Sequence, residues 1–163
     1  MSHLRISSID EKLLNQAVTL SGWARTRRGS KGISFIQLYD GSNQNGIHAV
    51  ADEVLENYEE ISKLSTGASV TIRGKVVESP ATGQSFEIHA EEVRIIGTSS
   101  GDQYPLQKKG HTLEFLREIA HLRPRTNTLG AVFRIRNTLS WAIHSFFQER
   151  DFMYVQTPVS YTH

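Results

Sequence analysis

The sequence predicts a mainly β fold, a small five-stranded barrel with one inserted helix, followed by a connecting segment and a long amphipathic helix. Three observations carry this. Apolar and polar residues alternate with a period of two along Ala17–Thr26, Ile33–Tyr39, Gly46–Ala51, Ser69–Glu78 and Phe86–Ile96, the pattern of half-buried strands. Between the third and fourth of these, Val54, Leu55, Tyr58, Ile61 and Leu64 recur at helical spacing. Further on, Val132, Ile135, Leu139, Ile143 and Phe147 step by threes and fours along one face of a longer helix.

In chain order, Ile6 to Leu14 reads as a short helical lead-in. The first strand sets Val18, Leu20, Gly22 and Ala24 on one face and Thr19, Ser21, Trp23 and Arg25 on the other. Gly29-Ser30-Lys31-Gly32 is a turn. In the second strand Ile36 and Leu38 face the core, which leaves Phe35 and Gln37 on the more polar side. Asp40 caps the turn that follows, and Gly46 to Ala51 is the third strand. Glu53 to Leu64 is a helix ended by Ser65-Thr66-Gly67, and Ser79 to Gly83 is a turn between the last two strands. Gly22 and Gly74 lie inside strands, where a tightly coiled barrel has to bend. Three strands, a helix and two strands is the order of the five-stranded Greek-key barrel called the OB-fold. An SH3-like barrel, the main alternative, usually lacks the inserted helix.

Gly97 to Gln103 reads as a linker, and Pro105 keeps Tyr104 extended. Leu113 to Ile119 is a short helix, broken by Arg123-Pro124-Arg125-Thr126-Asn127, which presents two arginines. Gly130 to Pro158 is a long helix and then a β-rich run, Phe152 to Val155, closed by Thr157-Pro158. The expected organisation is a barrel over residues 1–100, a hinge over 101–128, and over 129–163 the opening of a second, larger domain. A helix this apolar requires a partner, so its face is expected to be an interface.

Composition excludes several classes. The 163 residues contain no cysteine, so there is no disulfide, thiolate metal site or cysteine nucleophile. There is no apolar run long enough to span a bilayer and no signal-like N-terminus, so a cytoplasmic protein without a membrane partner is expected. The net charge of +1 is too small to announce nucleic acid by itself. Its distribution says more: residues 1–100 hold 10 Lys/Arg against 12 Asp/Glu, and residues 101–163 hold 8 against 5. Arg25, Arg27, Arg28 and Lys31 nevertheless cluster within the first part, and a local basic patch binds phosphates without a basic whole. GxGxxG, P-loop, GxSxG and HExxH patterns are absent, and no two of the 7 histidines are spaced to share a metal on a helix. No catalytic residue, metal or bound cofactor is expected in this chain.

The barrel face is the first candidate site. OB-folds bind single strands by stacking bases on aromatic rings and running the phosphates along a basic groove. A phenylalanine in a strand is more often core than platform, but Phe35 shares its face with Gln37, opposite Ile36 and Leu38. Arg25, Arg27 and Arg28 on the neighbouring strand would supply phosphate contacts. His48 and Glu87 are the polar candidates for reading base edges; each could equally be an ordinary exposed strand residue. A carboxylate accepts from the N1 and N2 hydrogens of an unpaired guanine, a specific Watson–Crick-edge pattern.

Several of these residues also resemble a known family. Gly22-Trp23-Ala24-Arg25-Thr26-Arg27-Arg28, Ile33-Ser34-Phe35-Ile36 and Tyr39-Asp40-Gly41-Ser42 resemble the anticodon-binding domain of class IIb aminoacyl-tRNA synthetases. His121-Leu122-Arg123-Pro124-Arg125-Thr126-Asn127 is similar to the hinge of the asparaginyl members. The segment Gly130–Pro158 resembles class II motif 1, whose helix forms a dimer interface and which ends in proline. The resemblance implies that Phe35 stacks on the central anticodon base and that Glu87 reads the first. It also implies that Arg25 and Arg28 contact the same site, with Arg123 and Arg125 as hinge contacts. His48 stands where the family usually has the glutamine that reads the central uridine. Ile135, Leu139, Ile143, Phe147 and Pro158 fall on the implied dimer interface. The implied partners are the tRNA(Asn) anticodon stem-loop and a second copy or a full-length synthetase subunit. The family uses ATP and magnesium, but the sequence ends before motifs 2 and 3, so this chain is expected to lack those sites and to be inactive alone as a ligase. The alternative is a non-catalytic paralogue acting as a dimerisation module or general single-strand binder.

Overall fold

The computed structural model describes residues 4–101 and 104–158. Five strands close into a barrel: β1 (Ala17–Ser30), β2 (Ile33–Tyr39), β3 (Ile47–Asp52), β4 (Ser69–Glu78) and β5 (Phe86–Gly97), in the spatial order β1-β2-β3-β5-β4. Every pairing is antiparallel except β3 with β5, and β1 meets β4 to close the cylinder. Closure leaves no long unpaired edge. The alternating pattern is realised: Leu20, Ile36, Leu38, Ile72, Val76 and Ile88 from alternate strand positions are fully buried together. Helix α1 (Tyr58–Ser62), between β3 and β4, adds Ile61 to this core, and the 3-10 turn Ile6–Ser8 adds Ile6. This is the OB-fold predicted from the element order.

Two strand glycines mark where the barrel bends. A Cβ on Gly22 would lie 2.6 Å from the carbonyl oxygen of Tyr39. One on Gly74, beside a register shift in the β4–β5 pair, would collide with the carbonyl of His89. Only glycine admits such close backbone approach.

The structure corrects several element boundaries. β1 runs on through Gly29 and Ser30, and the turn shrinks to Lys31 and Gly32. Both have positive φ, 44° and 79°, as a two-residue hairpin of the right twist requires. The helix expected from Glu53 is shorter and starts at Tyr58. The chain first leaves β3 through turns, where the Glu53 N–H donates to the Gly32 carbonyl and the Val54 N–H to the Asp52 carboxylate. Val54, read at helical spacing with Leu55 and Ile61, lies before the helix and is 86 % exposed.

The chain divides into two compact units, Met1–Leu122 and Arg123–His163, a division that falls inside the stretch read as a hinge. The first contains, besides the barrel, α2 (Leu113–Glu118), capped by the Thr112 hydroxyl, with Leu106 and Leu116 buried. The second holds α3 (Asn127–Gln148), which begins before the predicted Gly130. It ends in a Schellman turn: Asp151 is left-handed (φ 61°), the Phe152 N–H reaches the Phe147 carbonyl, and the Phe147 and Phe152 rings pack at 5.5 Å. Phe152 to Val155 is not a strand, since these residues pair with no neighbouring strand among the described residues. Ile135, Leu139, Ile143 and Phe147 are exposed, as is Pro158. Val159–His163 lie outside the described residues. No helix among the described residues is long and apolar enough to cross a membrane.

Candidate nucleic-acid interface

Pairing register carries the site. Partners directly opposite one another in a sheet project to the same face, so two rows run across the outside of β1, β2, β3 and β5. One row is Arg28, Phe35, Val50 and His89; the next is Thr26, Gln37, His48 and Glu87. Phe35 and Gln37 thus lie on the outer face, half-buried, while Ser34, Ile36 and Leu38 line the interior. The parallel β3–β5 pair sets His48 beside Glu87, residues from distant parts of the chain.

The arginines do not all share this face. A bulge between Ala24 and Thr26 shifts the register of β1, so Arg28 stands opposite Phe35 and Arg27 opposite Ile36. Arg27 is therefore on the interior side, where its guanidinium donates to the Ser34 hydroxyl at 3.1 and 3.3 Å. Ser34 in turn reaches the Tyr58 hydroxyl at 3.4 Å. Of the three arginines expected to supply phosphate contacts, Arg28 is the one paired directly with Phe35. Arg25 sits in the bulge; it donates to the Gln44 carbonyl at 2.9 Å and lies 4.8 Å above the Tyr39 ring. Arg123 and Arg125 belong to the second unit, where the Arg123 guanidinium lies 5.9 Å from the Phe133 ring centre.

The polar side chains of the second row are held. Gln37 donates to the Asn45 carbonyl at 2.9 Å and accepts from the Thr26 hydroxyl at 3.3 Å. Glu87, considered as a possible exposed strand residue, is 7 % exposed. Its Oε2 accepts from Ser79 at 3.0 Å and its Oε1 lies 3.4 Å from His89 Nε2. Burial holds the His48 ring below the ordinary histidine range, with Arg28 pushing the same way and Glu87 opposing. At neutral pH His48 is an uncharged imidazole with one donor and one acceptor nitrogen. Asp40 does cap its turn: burial works against ionisation, but hydrogen bonds from Ser42 and from the Ile6 N–H outweigh it and hold the carboxyl below its ordinary range. Among the described residues no group of three or more His, Asp or Glu side chains is placed to hold a metal.

An aromatic ring, a guanidinium, an amide, an imidazole and a carboxylate thus occupy adjacent positions on one barrel face. Such a face stacks bases and hydrogen-bonds their edges. Sequence reasoning missed Ser79, which it treated as part of a turn. Nothing in the alternation of β4 or β5 signals that a loop hydroxyl folds back onto Glu87.

The tRNA anti-codon family, described as an OB-fold nucleic acid binding domain, matches residues 18–96, the span of the five-stranded barrel. Over nearly its whole length the chain resembles longer proteins. It is 54% identical over 146 residues to the asparagine–tRNA ligase of Desulfitobacterium hafniense, covering 90% of this chain and 31% of that one. It is 46% identical over 162 residues to that of Cytophaga hutchinsonii, covering 98% and 35%. By sequence the chain resembles the asparagine–tRNA ligases, and it spans about a third of the length of the curated relatives it matches. The asparaginyl-tRNA synthetase of Pyrococcus horikoshii has the same fold, with a TM-score of 0.83 at 23% identity over 96% of this chain and 37% of that one.

Proposed function

We propose that this chain recognises the anticodon stem-loop of tRNA(Asn), as the anticodon-binding part of a cytoplasmic ligase that joins asparagine to tRNA at the expense of ATP. The observation that carries the reading is the two-row face, with Phe35 as the stacking ring, Arg28 beside it, and His48 and Glu87 side by side on β3 and β5. In this reading Phe35 stacks on the central base, His48 meets that base's edge, and Glu87 accepts from the guanine before it. Arg25 and Arg28 lie along the backbone. ATP, magnesium and asparagine chemistry are assigned to the parent ligase and to none of the residues described above. The test is a titration of the purified chain with stem-loops changed one anticodon base at a time. Binding that weakens with salt and prefers GUU is expected; equal affinity for every anticodon sinks the reading in favour of a general single-strand binder.

A second role rests on a separate observation. Ile135, Leu139, Ile143 and Phe147 on α3 are all exposed, at 47–60 %. A two-fold pairing of this face with a second copy or a full-length subunit would bury it. Light scattering over a concentration series tests this, and a mass that stays monomeric throughout counts against self-pairing.

A further inference from the structure

Ser79 begins the loop between β4 and β5, and its hydroxyl meets three partners. Glu87 Oε2 lies at 3.0 Å, Gln84 Nε2 at 2.9 Å and the Ala81 backbone nitrogen at 3.2 Å. A hydroxyl has one proton to give and two lone pairs to accept with. Both nitrogens are obligate donors, so they fill the acceptor side. The single proton is left for Glu87, whose ionised carboxylate only accepts. The loop is closed at its base by the Ser79 N–H donating to the Ser85 carbonyl at 3.0 Å. Glu87 is thus clamped through one lone pair of Oε2, while Oε1 stays beside His89.

We infer that Ser79, oriented by Gln84 and the Ala81 amide, is a positioning residue that fixes the plane of the Glu87 carboxylate and so determines which base edge it accepts. The inference rests on the anticodon reading above. A carboxylate has about four lone-pair sites, and Ser79 occupies one. With His89 beside Oε1, one remaining site on each oxygen forms a two-acceptor edge. Guanine's N1 and N2 hydrogens match such an edge; adenine presents an acceptor at N1 and no amine at C2. Without the clamp only the His89 contact on Oε1 orients the carboxylate, and its plane is less closely matched to the guanine donors.

The experiment uses the whole chain and fluorescently labelled stem-loops with guanine or adenine at the first anticodon position, read by anisotropy. Ser79→Ala should lower the guanine-to-adenine affinity ratio roughly tenfold, almost wholly through the guanine form, as expected for loss of a hydrogen bond that orients a charged acceptor. Ser79→Thr, which keeps the hydroxyl, should restore the ratio. In a Glu87→Gln background, Ser79→Ala should change the ratio no further. An unchanged ratio in Ser79→Ala, or an undiminished effect in the Glu87→Gln background, overturns the inference. Gln84→Ala keeps the hydroxyl and loosens its orientation, so it should lower the ratio in the same direction; should Ser79→Ala fail to fold, an unchanged ratio in Gln84→Ala overturns the inference instead. A wild-type chain with no guanine preference is a different result: it removes the anticodon reading itself.

Discussion

The barrel and the α3 segment handle the same kind of apolar residue in opposite ways. Leu20, Ile36, Leu38, Ile72 and Ile88 are fully buried, whereas Ile135, Leu139, Trp141 and Ile143 on α3 are 57–73 % exposed. The barrel satisfies its own backbone and its own core, because strand alternation turns one face of every strand inward. α3 has intact helical hydrogen bonding and a well-formed C-cap, so its local structure is complete while its apolar surface is not covered. Secondary structure can therefore be finished where burial is not.

The sharpest test of that contrast is a pair of truncations. Ile72→Ala, in the closed core, should cost about 2–5 kcal/mol in urea unfolding. Leu139→Ala on α3 should stay within about 0.5 kcal/mol for the monomer. Comparable losses would erase the distinction. A Leu139→Ala loss that grows with protein concentration would instead show that the helix face is covered by a second copy.

The barrel's outer face is predicted to matter for binding and not for folding. Phe35→Ala should weaken stem-loop binding by about 1–3 kcal/mol, the range for one stacked base, with little change in the unfolding midpoint. Equal binding would move the interface elsewhere. Arg28→Ala should reduce the slope of log affinity against log salt by about 1 if the guanidinium meets a phosphate. Arg27→Ala, on the interior side, should leave that slope unchanged.

The smallest effect concerns pH. His48 has a lowered folded value against an ordinary 6.5. As the pH falls, the unfolded chain takes up its proton first, so stability declines from about the ordinary histidine range down through the folded value and then levels off. His48→Gln should flatten that part of the profile. An identical decline from pH 7 to pH 5 in both proteins would show that His48 is not its source.

Much of the fold is legible in the sequence because a half-buried strand writes its environment every second residue. β2 and β4 are readable to the residue, and alternation sets Ile36 and Leu38 on one face of β2 and Phe35 and Gln37 on the other. The misreadings have physical causes. Alternation assumes an unbroken pleat, and the bulge at Arg25 resets the parity of β1, so Arg27 was readable as basic but not as inward-facing. Helical spacing over Glu53–Leu64 did not reveal that the Asp52 carboxylate and the Gly32 carbonyl take the first amides before a helix can start. Phe152–Val155 has strand propensity, but a strand also needs a neighbour. The proximity of His48 to Glu87, and the contact of Ser79 with Glu87, depend on closure and on loop folding, which no local period encodes.

The parallel β3–β5 pair has a consequence for the shape of whatever lies across it. Neighbouring strands stand about 4.8 Å apart, while stacked bases along one strand rise only about 3.4 Å. Two bases that met His48 and Glu87 at this strand spacing would be drawn further apart than stacking allows. If RNA is the ligand, the barrel holds it splayed, and part of the energy of recognition goes into unstacking the strand that is being read.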